Sequence, residues 1–315
     1  MAAPSSRRAD RTWLIALAAS LWGLSAIWRD PLAKQYPSVA IVFWEHLVLV
    51  LLVSPWLLGA VRAVARASRR TQLSVIVIGA GSSALATTLF TSAFRLGDPI
   101  TPQVLQKLQP LIALLLAAVL LGERHRPSFA FFAVPAIAGA WLLSFPEPFA
   151  ISITSLYAAG LALGAAALWA AGTVLGRAAS AELTFRELTS LRFAVGLVAL
   201  AVISLVTDTS MGIDAGSIGS IVVLALVPGL VALLLYYRGL RTTPASRATL
   251  AELAFPITAA VVGVGVLGRS LDPTQWLGFA LVLAAVVGLA LHERRSERPA
   301  VATPDRADEA IDVRG

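Results

Sequence analysis

Residues 108–128 read LQPLIALLLAAVLLGERHRPS, and residues 254–274 read AFPITAAVVGVGVLGRSLDPT. The two align without a gap at an offset of 146, which sets Pro110 on Pro256 and Gly122 on Gly268. Further upstream, LWGLSAIWRDPLA (21–33) aligns with LWAAGTVLGRAAS (168–180) at an offset of 147, and Trp22 falls on Trp169. Internal symmetry of this kind marks a chain built from two copies of one unit.

Each unit is membrane material. The chain of 315 residues is 57% hydrophobic and 14% charged, against about 25% charged in soluble domains. Its apolar runs are long enough to cross a bilayer as helices, and they lack the alternation of a membrane barrel. Polar or Pro/Gly-rich joints divide them into ten spans: 12–29, 38–58, 72–94, 100–121, 128–146, 154–176, 185–206, 217–238, 246–267 and 274–292. The first has the basic front of a signal peptide, but Trp22 and Trp28 stand where a small-residue cleavage site would lie, so it reads as an uncleaved span. The segment 293–315 is polar and reads as a disordered cytoplasmic tail.

Arginine sets the orientation. Arg7, Arg8, Arg11, Arg62, Arg66, Arg69, Arg70, Arg124, Arg126, Arg177, Arg186, Arg238, Arg241 and Arg247 all fall on one side. The other side holds Arg29, Lys34, Arg95 and Arg269 among Asp30, Asp98, Glu147, Asp208, Asp214 and Asp272. Lysine and arginine collect on the cytoplasmic face, so both termini are expected inside, in a bacterial inner membrane. This placement also accounts for the net charge of +7 without a nucleic-acid partner. With no cysteine and three scattered histidines, the sequence offers no disulfide, metal or cofactor site.

The two copies, 12–146 and 154–292, hold five spans each. An odd number of crossings turns the second copy upside down relative to the first. Inverted repeats of this sort are the architecture of many secondary transporters, with the solute site where the copies meet.

The LWG at 21–23, the P-x-x-A…LGE stretch from Pro110 to Glu123, and the second copy of the pattern resemble the EamA-type family of the drug/metabolite transporter superfamily. The resemblance covers about 12–292. It implies an all-α integral membrane protein whose ten transmembrane helices form an inverted 5+5 repeat around a central cavity. It also implies alternating access and favours export of amino acids and related metabolites. One position departs: the second copy reads LGR, with Arg269 where the family often carries a second glutamate. A gate built from two such glutamates does not transfer.

Four ionisable residues fall inside spans: Glu45 (beside His46), Lys107, Arg192 and Glu252. Counting along each helix at roughly 1.5 Å per residue places Glu45 and Lys107 about 10 Å below the outer surface, with Arg192 and Glu252 about as deep from the inner one. The repeat carries Glu45 onto Arg192 and Gln106 onto Glu252. Charges at such depth are expensive alone, so Glu45 is expected to face Lys107, and Arg192 to face Glu252. These couples either lock helices together or line a solute path. Gln103, Gln106, Lys107 and Pro110 share a helical face, and Thr249, Glu252 and Pro256 form its counterpart, which favours the path. Trp22 and Trp169 are further cavity candidates, whereas Trp13, Trp28, Trp56 and Trp276 suit interfacial anchors. Gly160/Gly164 and Gly172/Gly176 read as packing. Pro110 and Pro256 free the carbonyls of Gln106 and Glu252 and suit hinges.

The sequence therefore points to a secondary transporter for a small organic solute. A site with both charge signs suits an amino-acid-like or other amphipathic metabolite, moved outward with protons as the candidate coupling ion. No phosphate-cradling motif is present. The rivals are a non-transporting membrane scaffold and a membrane-embedded enzyme; the latter lacks a catalytic constellation.

Overall fold

A computed structural model describes residues 11–112, 130–145, 147–149, 152–240, 243, 248 and 250–296. Glu123, Thr249 and the tail beyond Ser296 lie outside the described residues. Every regular element among them is helical. In chain order these are α1 (Thr12–Gly23), α2 (Ala26–Gln35), α3 (Ser38–Arg66), α4 (Arg69–Leu96), α5 (Ile100–Leu105), α6 (Ala130–Ser144), α7 (Ile153–Ala179), α8 (Phe185–Val206), α9 (Ala215–Leu240), α10 (Ala254–Val266) and α11 (Pro273–Ser296). Among the described residues five helices, within α3, α4, α7, α8 and α9, are long and apolar enough to cross a membrane, and shorter apolar helices occupy 131–144, 254–266 and 273–289.

Large apolar side chains face outward, and polar ones are held inside among an apolar core. Phe131, Ile137, Val198, Leu205 and Val206 are exposed, while Arg29, Asp30, Glu45, His46, Thr91 and Gln103 are buried. A chain facing hydrocarbon gains nothing by hiding leucine from it, but must satisfy each polar group internally.

Helix contacts run mainly between the copies. α3 packs on α8, α6 on α11, α4 on α7, and α1 on both α9 and α10. Close approach makes these contacts possible. A Cβ on Gly23 of α1 would sit 2.7 Å from the Phe255 carbonyl oxygen, and one on Gly196 of α8 would sit 2.8 Å from the His46 ring. Only glycine lets these backbones meet.

Several helices lose regular pitch near the centre. α4 winds as a π-helix over Val77–Leu85, α9 over Ala225–Val231 and α10 over Val262–Val266. Shifted by the repeat offset of 147, residues 77–85 land on 224–232, so the bulges of α4 and α9 occupy matching places in the two copies. Wide turns of this type gather at functional sites.

Candidate functional site

The best-supported site is assembled at two broken helices. After α5, Gln106–Leu108 tightens into a 3₁₀ turn, and the Gln109 amide donates to the Gln106 carbonyl. In the second copy the Phe255 amide donates to the Glu252 carbonyl over 3.0 Å. Both bonds span three residues and both directly precede a proline, Pro110 or Pro256. The ring nitrogen of proline cannot bond four residues back, so the freed carbonyl takes the amide three residues on. The expectation that Gln106 and Glu252 would carry these freed carbonyls is met, and the backbone resolves each with a local turn.

Across the junction Lys107 Nζ lies 3.5 Å from Glu252 Oε2. The side chains keep 13% and 27% of their accessibility, so the pair is sheltered without being sealed. Tyr236 of α9 donates its hydroxyl to Glu252 Oε1 at 2.5 Å. The ammonium of Lys107 also stands 4.9 Å from the centre of the Phe255 ring, a cation–π contact. Trp22 completes the aromatic wall: its ring centroid is 5.1 Å from that of Tyr236, and its indole N–H donates to the Pro228 carbonyl inside the α9 bulge at 2.9 Å. Trp169 lies on α7, where its ring meets Phe90 at 5.2 Å and its carbonyl accepts from Thr173. Thr173 in turn accepts a hydrogen bond from Gln109 at 3.3 Å.

The expected pairings are corrected. Glu45 does not face Lys107; it is bound by Arg29, with contacts of 3.0 and 3.1 Å from the two terminal nitrogens. Arg29 also donates to Thr91 at 2.6 Å. Arg192 does not face Glu252; its Nε donates to Ser83 at 3.3 Å, beside His46, whose Nε2 meets the same hydroxyl at 2.9 Å. The reason is geometric. Position along a helix gives depth, but partner choice depends on which helices are neighbours, and helix exchange between the copies brings α5 toward α10. Gln103 likewise leaves the shared face, because the 3₁₀ turn changes the helical phase after Leu105. It is wholly buried, with its amide donating to the Pro99 carbonyl at 2.9 Å.

A second charged group ties the copies at the chain turns. Asp30 Oδ2 accepts from Arg269 at 3.0 Å and from Lys34 at 2.6 Å. Tyr36 donates to Asp214 at 2.8 Å, and the Trp44 indole donates to the Met211 carbonyl at 2.8 Å. The residue that departs from the family glutamate, Arg269, thus has a specific carboxylate partner in the other copy. At the opposite chain turns, Glu182 accepts from the Ser68 hydroxyl at 2.6 Å, the Ser68 amide at 2.7 Å and the Thr71 hydroxyl. These donors, the Ser68 hydroxyl first, hold its carboxyl down at about 2, well below the usual glutamate range. A separate cavity of ≈ 290 Å³ lies among Asp98, Thr101, Ser155, Asp272 and Gln275 and contains none of the sequence-derived site residues.

Known proteins carry the same pattern. Residues 12–145 and 156–291 each match the EamA-like transporter family. The riboflavin transporter ImpX of Fusobacterium nucleatum subsp. nucleatum is 31% identical over 288 residues, covering 87% of this chain and 95% of that protein. The uncharacterized transporter YwfM of Bacillus subtilis is 28% identical over 209 residues, covering 66% and 70%. A solved crystal structure, 20% identical, superposes with a TM-score of 0.63 over 92% of this chain and 100% of its own, which establishes the shared fold. With two family matches spanning nearly all the helical chain, and an ion pair joining the copies at their broken helices, this protein belongs to the EamA-like transporter family and is a multi-pass membrane transporter, not an enzyme.

Proposed function

We propose that this chain is a secondary transporter that moves a small amphipathic organic metabolite by alternating access, its ten helices forming an inverted 5+5 repeat in a bacterial inner membrane with both termini cytoplasmic. The observation that carries the reading is the Lys107–Glu252 pair, which joins the copies at two matching helix breaks. Ionisable groups at span depth are functional by default, and broken helices at a repeat interface are where transporters hold solute. The pattern of helix contacts supports the repeat, since exchanging the copies leaves α3·α8 and α6·α11 unchanged.

The solute meets both charge signs at Lys107 and Glu252, which suits an amino-acid-like zwitterion moved outward. A second reading is favoured by the wall of Trp22, Tyr236 and Phe255: a planar heterocycle, the class to which the riboflavin named for the Fusobacterium relative belongs. Of the two span carboxylates, Glu252 keeps the greater access, 27% against 8% for Glu45, and is the one assigned to coupling. Gln106 and Trp169 complete the proposed lining, with Pro110 and Pro256 as hinges.

Purified protein in proteoliposomes decides between these readings. Flux of amino acids, of riboflavin, or of both is measured with and without an imposed pH gradient. Counterflow of either class that disappears in Lys107→Ala supports the site. Equal flux in wild type and Lys107→Ala removes it.

A further inference from the structure

Arg192 is a cation at span depth with no carboxylate paired to it among the described residues. Among the described residues its hydrogen bond is from Nε to the Ser83 hydroxyl at 3.3 Å. Its guanidinium carbon also stands 5.9 Å from the centre of the Phe193 ring. His46 shares the Ser83 hydroxyl and so adds no negative charge. Tyr237 lies within electrostatic reach, and it is 40% exposed. Arg192 itself is of intermediate exposure.

The repeat shows what is different about this cation. At the offset of 147, Arg192 matches Glu45, and the partner of Glu45, Arg29, matches Gly176. The first copy has a charge at each of the two positions, and they neutralise each other at 3.0 Å. The second copy keeps one charge with its sign reversed and has a glycine in place of the other. A Cβ on Gly176 would meet only the end of Leu188, at 4.0 Å, one helical turn before Arg192. The second copy therefore has no side chain at the position from which the first copy supplies the counter-ion.

The geometry points to Arg192 as an oxyanion-binding residue of the transport site: a carboxylate or phosphate of the solute supplies the counter-charge that the first copy provides at Arg29 and the second copy, with Gly176, does not. This deepens the transport reading and rests on it. Guanidinium presents paired donors that match a carboxylate or phosphate, and Ser83, His46 and Tyr237 supply further polar contacts around it. The connection to the rest of the site runs through Tyr237, whose ring is 5.7 Å from that of Tyr236, the hydrogen-bond donor to Glu252. Tyr237 thus stands between the cation and the aromatic residues beside Glu252.

The test uses full-length protein in detergent and matched probes that differ in charge alone: riboflavin 5′-phosphate against riboflavin, and indole-3-acetate against indole-3-acetamide. Thermal unfolding is followed in wild type, Arg192→Gln, Arg192→Lys and Gly176→Glu. The anionic member of at least one pair is expected to raise the wild-type melting temperature more than its neutral mate. That difference should vanish in Arg192→Gln, persist in part in Arg192→Lys, and fall in Gly176→Glu, where the new carboxylate competes. Without probe, Arg192→Gln should melt no lower than wild type, since it removes an unneutralised charge. Equal response to charged and neutral probes, response to neither, or a ligand-free Arg192→Gln protein that melts well below wild type overturns the assignment. A charge-selective shift without flux of either anion in proteoliposomes would leave the anion site standing and remove the transport reading alone.

Discussion

Lys107 and Glu252 face each other over 3.5 Å from opposite copies of the repeat, each sitting in a turn that has dropped out of α-helical pitch. The alignment places them one residue apart, so the bond is made between near-equivalent points of two related segments. Their partial exposure limits what the pair contributes to folding to about 1 kcal/mol. Lys107→Ala and Glu252→Ala are therefore expected to insert and fold while losing flux by more than about tenfold, equivalent to roughly 1.4 kcal/mol. Proteoliposome uptake beside a detergent melt separates the two effects, and a melt that collapses with the flux would make the pair scaffolding.

The Arg29–Glu45 contact behaves differently because both side chains are buried, at 7% and 8% exposure. Breaking such a pair leaves one charge without compensation, at a cost of about 3–5 kcal/mol. Glu45→Gln should lower the melting temperature sharply, and the double variant Arg29→Met/Glu45→Met should recover much of the loss. A double variant as unstable as the single one would mean that packing, not charge, sets the effect.

Glu182 gives a pH signature outside the spans. Its carboxyl titrates near 2 in the folded chain against an ordinary 4.5, so the ionised form is the one that folding favours. Stabilisation is full above pH about 4.5 and is lost as pH falls toward 2. The gap in melting temperature between wild type and Glu182→Gln should be constant from neutral pH to about 5, then close on further acidification. A gap that widens in acid would reverse the sign and refute the capping role.

Gly23 meets the Phe255 carbonyl where α1 crosses the second broken turn. Gly23→Val is expected to cost about 1–3 kcal/mol by overpacking, and to impair flux because it strains the Glu252–Phe255 turn. Gly216, with nothing near its would-be Cβ, serves as the control: Gly216→Ala should be silent in both measurements.

The chain has no cysteine, so single cysteines report topology cleanly. Ser270 and Arg70 are both exposed. In intact cells Ser270→Cys should react with a membrane-impermeant maleimide, and Arg70→Cys should react only after permeabilisation. The reverse pattern would invert the proposed orientation.

How much of this could be read beforehand depends on the kind of information involved. The apolar runs, the repeat and the helix breaks at Pro110 and Pro256 were legible, because each rests on local composition or on the missing amide of proline. The charge pairs were not. Arg29 reads as a rim residue because it ends an apolar run, yet α2 continues to Gln35 and buries it against Glu45 and Thr91. The π-turns left a faint trace: Gly79 and Gly81 in α4, Pro228 and Gly229 in α9, Gly263 and Gly265 in α10. Small residues and proline permit such turns without demanding them.

Arg29 and Asp30 are consecutive in the chain, yet one grips α3 through Glu45 and the other reaches the end of α10 through Arg269. One peptide unit therefore acts as a yoke between a helix of each copy. Any tilt of α10 that carries Arg269 away would pull on the same short length of backbone that anchors α3, so load on one bond passes to the other.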